Sequence, residues 1–90
     1  MRIQTKWNEF KSREDTVLRV FLLRTCPYSK KLADALRGMP RVEKKWVSRG
    51  SVAYHDLKQK YDWPTYPIAV LCTKDEEVRL GGWDDLWPFL

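Results

Sequence analysis

A chain of 90 residues has room for one small core and no second one. With 43% hydrophobic and 32% charged residues it has a globular composition, and no apolar run nears the ~20 residues of a membrane-spanning helix. The balance of 17 basic and 12 acidic residues gives a net charge of +5, which suits a small anionic ligand or an acidic protein partner. RNA-binding folds would add stacking aromatics on adjacent strands, and that pattern is missing.

The opening stretch, MRIQTKWNEFKSREDT, contains no apolar h-region, so no secretory signal is expected there. Within it Ile3, Trp7 and Phe10 fall at i, i+4 and i+7. That spacing predicts an amphipathic helix over residues 3–14, in an N-terminal extension (1–16) docked on a domain of residues 17–90. Val17 to Leu23 is apolar except for Arg19 and reads as a strand buried on both faces. From Ser29 the spacing becomes helical, with Leu32, Ala35 and Leu36 on one face, Gly38 as C-cap and Pro40 as a stop. Val42 to Val47 forms a second strand in spite of Lys44 and Lys45. Ser51 caps a second helix, whose apolar face is Ala53, Leu57 and Tyr61. Asp62 to Pro67 is a loop with two prolines, followed by the strand Ile68 to Cys72, a polar turn and the short strand Val78 to Leu80. Gly81-Gly82 breaks that strand, and Pro88 limits the helix starting at Trp83 to about one or two turns. The order β-α-β-α-β-β implies a parallel β-α-β unit followed by an antiparallel hairpin: an α/β fold with a four-stranded mixed sheet flanked by helices.

Two cysteines, Cys26 and Cys72, do not make a disulfide framework, and His55 is the single histidine. A reducing, intracellular setting is therefore expected, with no ordinary zinc site from this chain alone. Cys72 lies on a strand and reads as core. Cys26 stands in RTCPYSKK, where a buried strand ends and a helix begins. Amide groups and the dipole at a helix start favour a thiolate, and Arg24, Lys30 and Lys31 add positive charge. A thiolate is the attacking species in disulfide exchange. The plainer reading, a small buried hydrophobe, suits this exposed and electropositive position less well.

Three stretches, Cys26-Pro27-Tyr28-Ser29, Trp63-Pro64-Thr65-Tyr66-Pro67 and Gly81-Gly82-Trp83-Asp84-Asp85-Leu86, occur in the order and at the separation that resemble a glutaredoxin. The resemblance covers about residues 16–90 and implies a thioredoxin-like fold, here with an extra N-terminal segment. It implies Cys26 as nucleophile within the motif Cys26, Pro27, Tyr28 and Ser29. Pro67 would be a cis-proline facing Cys26, leaving Thr65 and the Tyr66 backbone to pair with glutathione; the family usually has valine where Tyr66 stands. Gly82, Trp83, Asp84 and Asp85 would hold the γ-glutamyl end of glutathione, which carries both an ammonium and a carboxylate. Arg24 is the implied anchor of the glycyl carboxylate, although it lies two residues before the cysteine where the family's basic residue usually lies three before. A second anchor, often glutamine in the family, aligns with Tyr54.

Serine at 29 cannot resolve a mixed disulfide as a second cysteine would, so Cys26 is expected to act alone, with Ser29 hydrogen-bonded to its thiolate. The implied activity is glutathione-dependent reduction of glutathionylated or disulfide-bonded proteins by a cytoplasmic monomer. Glutathione is its co-substrate, and no nucleic acid, membrane or metal is involved. Two alternatives stay open on the same motif. A serine put in place of a second cysteine would make the parent a dithiol enzyme, also able to serve ribonucleotide reductase. A monothiol chain could instead share a [2Fe–2S] cluster between two subunits, a role better associated with C-G-F-S than with Cys26-Pro27-Tyr28-Ser29. A non-catalytic adaptor using the basic surface and the N-terminal helix is the reading from outside enzymology.

Overall fold

The computed structural model describes residues 2–90. Its elements run α1 (Ile3–Ser12), β1 (Val17–Leu23), α2 (Pro27–Ala35), β2 (Val42–Val47), α3 (Val52–Lys60), β3 (Ile68–Cys72), β4 (Glu77–Gly81) and α4 (Trp83–Leu86), closed by a 3-10 turn at Trp87–Phe89. The strands form one mixed sheet in the order β2-β1-β3-β4. β1 and β2 pair in parallel, with Leu18 opposite Val42 and Leu23 opposite Val47. β3 runs antiparallel to both β1 and β4. This is the α/β architecture implied by the element order, and no helix among the described residues is long and apolar enough to cross a membrane.

Alternation along β1 divides the core in two, because successive side chains of a strand point to opposite faces. Leu18, Val20 and Leu22 face one way, packed with Leu32 of α2, its C-cap Leu36, Leu86 of α4 and Trp7 and Phe10 of α1. Phe21 and Leu23 face the other way with Val70, Ile68 and Tyr61, covered by Tyr54 and Leu57 of α3. Both faces of β1 are thus closed, which accounts for its nearly unbroken apolar run. Arg19, the exception, lies opposite Glu43 in the parallel ladder and reaches its carboxylate at 3.3 Å and that of Glu77 at 3.4 Å. Hydrogen bonding from Arg19 holds the Glu43 carboxyl below its ordinary range. For Glu77 the leading cause of the same shift is the Tyr61 hydroxyl, 2.9 Å away.

The N-terminal segment belongs to this core. Phe10 is 1% exposed and Trp7 is 5% exposed, with their rings 5.4 Å apart. The helix ends at Ser12 and not at residue 14, because Arg13 turns back to pair with Asp15 and Glu9. Arg41 fastens this end. Its guanidinium donates to the carbonyls of Phe10 (2.8 Å), Arg13 (2.7 Å) and Thr16 (3.0 Å), and lies 4.7 Å from the Phe10 ring centre. Carbonyls at a helix C-terminus have no intrahelical partners, so a cation placed there satisfies them and complements the dipole.

Two smaller expectations shift. The inner face of α3 is Tyr54, Leu57 and Tyr61, with Ala53 exposed. The stripe starts one residue later than the sequence pattern placed it, because the larger Tyr54 ring gains more by burial. α2 ends at Ala35, ahead of Gly38, which takes its positive φ of 77° in the following turn.

Candidate functional site

β1 delivers Cys26 to the start of α2. Cys26 is the N-cap residue, in extended conformation, and its amide donates to Leu23 O at 3.1 Å. Pro27 takes the first helical position, where a missing N–H costs nothing and a fixed φ helps. The Cys26 thiol is partly exposed, and its Sγ lies 3.7 Å from the carbonyl oxygen of Tyr66. The Tyr66-Pro67 peptide bond is cis.

Ser29 has another partner than the one expected. It is wholly buried, and its Oγ accepts the Leu23 amide at 2.9 Å. No hydrogen bond joins Ser29 to Cys26 among the described residues. The hydroxyl is held by a buried backbone donor that would be costly to leave unpaired. Its role in the structure is to tie the end of β1 to the first turn of α2.

Around Cys26 opens a cleft of about 560 Å³, lined by Leu23, Cys26, Tyr28, Arg49, Tyr54, Trp63, Pro64, Thr65, Tyr66, Pro67, Gly82, Trp83, Asp84 and Asp85. The loop before β3 forms its floor. Arg79 pins that loop, donating to the carbonyls of Tyr61 and Asp62 at 2.9 Å each and lying 4.7 Å from the Trp63 ring centre. Tyr66 is buried, stacked on Tyr54 at 5.3 Å, and donates its hydroxyl to the Tyr54 carbonyl at 2.8 Å. Burial, and then the neighbouring Tyr54, push the Tyr66 phenol up to about 12.

Glycines close the other wall. A Cβ on Gly82 would stand 3.2 Å from the Pro67 carbonyl oxygen and 3.5 Å from Trp63 Nε1, so glycine lets the β4–α4 junction lie against the proline loop. At Gly81, φ is 129° and a side chain would collide with the Asp85 carboxylate. Asp85 Oδ2 accepts the Gly82 amide at 2.9 Å, capping α4. Its neighbour Asp84 is exposed on the lining and makes no ion pair among the described residues. Trp63 Nε1 is buried without a hydrogen-bond partner.

Of the residues picked out in the sequence, Cys26, Tyr28, Thr65, Tyr66, Pro67, Gly82, Trp83, Asp84 and Asp85 line this one cleft. Pro27 and Ser29 shape the helix start behind it. Arg24 is exposed and outside the lining, and the arginine on the cleft is Arg49, from the loop between β2 and α3. Sequence offered one signal for Arg49: ligand sites of open α/β sheets gather in the loops beyond the carboxyl ends of parallel strands, and Arg49 follows β2. Cys72 is 8% exposed in the core on the α3 face, and burial raises its thiol pKa. Among the described residues no group of three or more His, Cys, Asp or Glu side chains could hold a metal ion. No protein-family model, curated protein or solved structure matches the chain.

Proposed function

We propose that the protein is a glutathione-dependent thiol–disulfide oxidoreductase of the glutaredoxin kind, with a thioredoxin-like arrangement of its sheet and helices, working through Cys26 alone. The observation that carries the reading is the meeting of Cys26 Sγ with the Tyr66 carbonyl across the cleft, 3.7 Å apart, from two segments far apart in sequence. A strand-to-helix cysteine facing a cis-proline loop brings a nucleophile beside backbone groups able to pair with an extended peptide.

Glutathione fits the chemistry of the lining. Thr65 and Tyr66 offer main-chain groups to its cysteinyl part. Asp84 is the free carboxylate for its ammonium, since Asp85 is engaged with Gly82. Arg49 is the cation for its glycyl carboxylate, beside Tyr54, and the unpartnered Trp63 indole N–H is one further donor. In the reaction the Cys26 thiolate attacks the glutathione sulfur of a protein–glutathione disulfide. A bond forms between Cys26 and glutathione, the protein sulfur leaves with the electron pair, and it takes up a proton. A second glutathione thiolate then attacks the bound glutathione sulfur. It releases glutathione disulfide and returns Cys26 as thiolate; the net exchange converts one protein–glutathione disulfide and one glutathione into the protein thiol and glutathione disulfide. A reducing, cytoplasmic location and a monomeric state go with this reading.

Turnover of the mixed disulfide of glutathione and 2-mercaptoethanol, coupled to glutathione reductase, tests it. Cys26→Ser abolishes the activity, and Cys72→Ser keeps most of it. Equal losses would move the site away from Cys26. A reduced, folded protein without activity would favour the adaptor reading, and visible absorbance after anaerobic purification would favour the cluster-bridging one.

A further inference from the structure

The cleft has an electrical asymmetry of which glutathione uses only Arg49. Among the described residues, the nine ion pairs draw their cations from Lys6, Arg13, Arg19, Arg37, Lys45 and Lys60, all away from the cleft lining. Lys31, Arg24, Arg49 and Lys58 make no ion pair among the described residues, and each lies next to Cys26 in sequence or against a residue of the lining; together they make a basic arc. Lys31 Nζ lies 5.4 Å from the ring centre of Tyr28, which is 52% exposed on the lining. Arg24 is exposed two residues before Cys26, and its amide donates to Val47 O at 3.1 Å, at the end of β2. Two residues further, Arg49 reaches the Tyr54 hydroxyl at 3.5 Å. Lys58 reaches the same hydroxyl at 3.5 Å. Asp56, the one carboxylate of α3, stands two residues from both Tyr54 and Lys58, and so on the opposite side of that helix. The acidic groups of the lining, Asp84 and Asp85, belong to the other wall.

Resting on the reading above, we propose that the substrate is a glutathionylated polypeptide whose modified cysteine is flanked by acidic residues, drawn to Lys31, Arg24 and Lys58 of the arc while Arg49 holds the glutathione carboxylate. Charges left unpaired around a concave site focus a field that raises the encounter rate of the complementary partner. A nucleic acid would carry its phosphates against the Asp84 wall as well, whereas a polypeptide with a local acidic segment meets only the arc. The exposed Tyr28 ring beside Lys31 gives that polypeptide an apolar contact at the point where its sulfur must approach Cys26.

The experiment compares two short peptides, each carrying one cysteine as its mixed disulfide with glutathione, one flanked by Asp and Glu and the other by Lys and Arg. The mixed disulfide of glutathione and 2-mercaptoethanol serves as the uncharged-partner control. At low salt the acidic peptide should lead by roughly tenfold or more in kcat/KM. The lead should collapse at ~1 M salt, where the screening length is about 3 Å. The double variant Lys31→Glu, Lys58→Glu should lose the lead when the rate on each peptide is taken relative to that variant's own rate on the control. Equal rates on the two peptides, a preference that survives high salt, or a lead intact in the double variant would overturn the proposal with the oxidoreductase reading still standing. Tighter low-salt binding of a single-stranded oligonucleotide than of the acidic peptide would also overturn it. Failure on the control itself would bring down both.

Discussion

Replacing Phe10 with alanine probes whether α1 is part of the core or an appendage. Phe10 is 1% exposed and touches the hydrophobic cluster around β1, with the Trp7 ring at 5.4 Å and the Arg41 guanidinium at 4.7 Å. A buried Phe→Ala change costs about 3–5 kcal/mol, from lost transfer energy and the cavity left behind. The cation over the ring contributes about 0.5–2 kcal/mol within that figure. Domains of this size have only about 5–15 kcal/mol in total, so the change removes a large share of it. At about 4–8 °C per kcal/mol, the melting temperature should fall by on the order of 12 °C or more. Thermal unfolding followed by circular dichroism measures it, and Phe10→Leu gives a graded, smaller loss if the alanine variant is already unfolded. Val52→Ala, at a side chain 76% exposed, is the control and should stay within about 0.5 kcal/mol. If Phe10→Ala melts within about 2 °C of the parent, burial of this helix does not stabilise the domain and the reasoning fails.

Two other outcomes follow from the site. Ser29→Ala removes the acceptor of the buried Leu23 amide and should cost about 1–3 kcal/mol in denaturant unfolding; a change near zero would show that the tie between β1 and α2 is dispensable. Burial holds the Tyr66 phenol neutral up to about 12, so its folded pKa lies above its unfolded one. That contribution is fully present below pH ~10 and is lost as pH rises towards 12. Stability should therefore decline in alkali with a slope that Tyr66→Phe reduces, read from denaturant midpoints against pH. A folded protein whose Tyr66 ionises at an ordinary tyrosine value would refute this.

Sequence by itself determined the elements whose cause is local. The run from Val17 to Leu23 reads as a strand closed on both faces, and the i, i+4, i+7 spacing of Ile3, Trp7 and Phe10 suits a helix docked on the domain better than a free tail. The prolines and glycines at 38, 40, 64, 67, 81 and 82 marked where chain direction changes. The same locality placed Cys26 at a helix start, because strand, cysteine and proline are consecutive. What the tertiary structure decided are choices between neighbours in sequence, where nothing local discriminates. Arg49 lines the cleft and Arg24 does not, because β2 carries its loop to the rim. Asp84 is free and Asp85 is not, because only Asp85 stands three residues after the Gly82 amide that needs an acceptor. Ser29 serves Leu23 and not Cys26, because the end of β1 lies over it. Arg41, in an unremarkable loop, binds α1 to the sheet through carbonyls 25 to 31 residues away. Periodicity reports which face of an element is buried. Which polar group meets which is set by loops crossing at distances the periodicity does not contain.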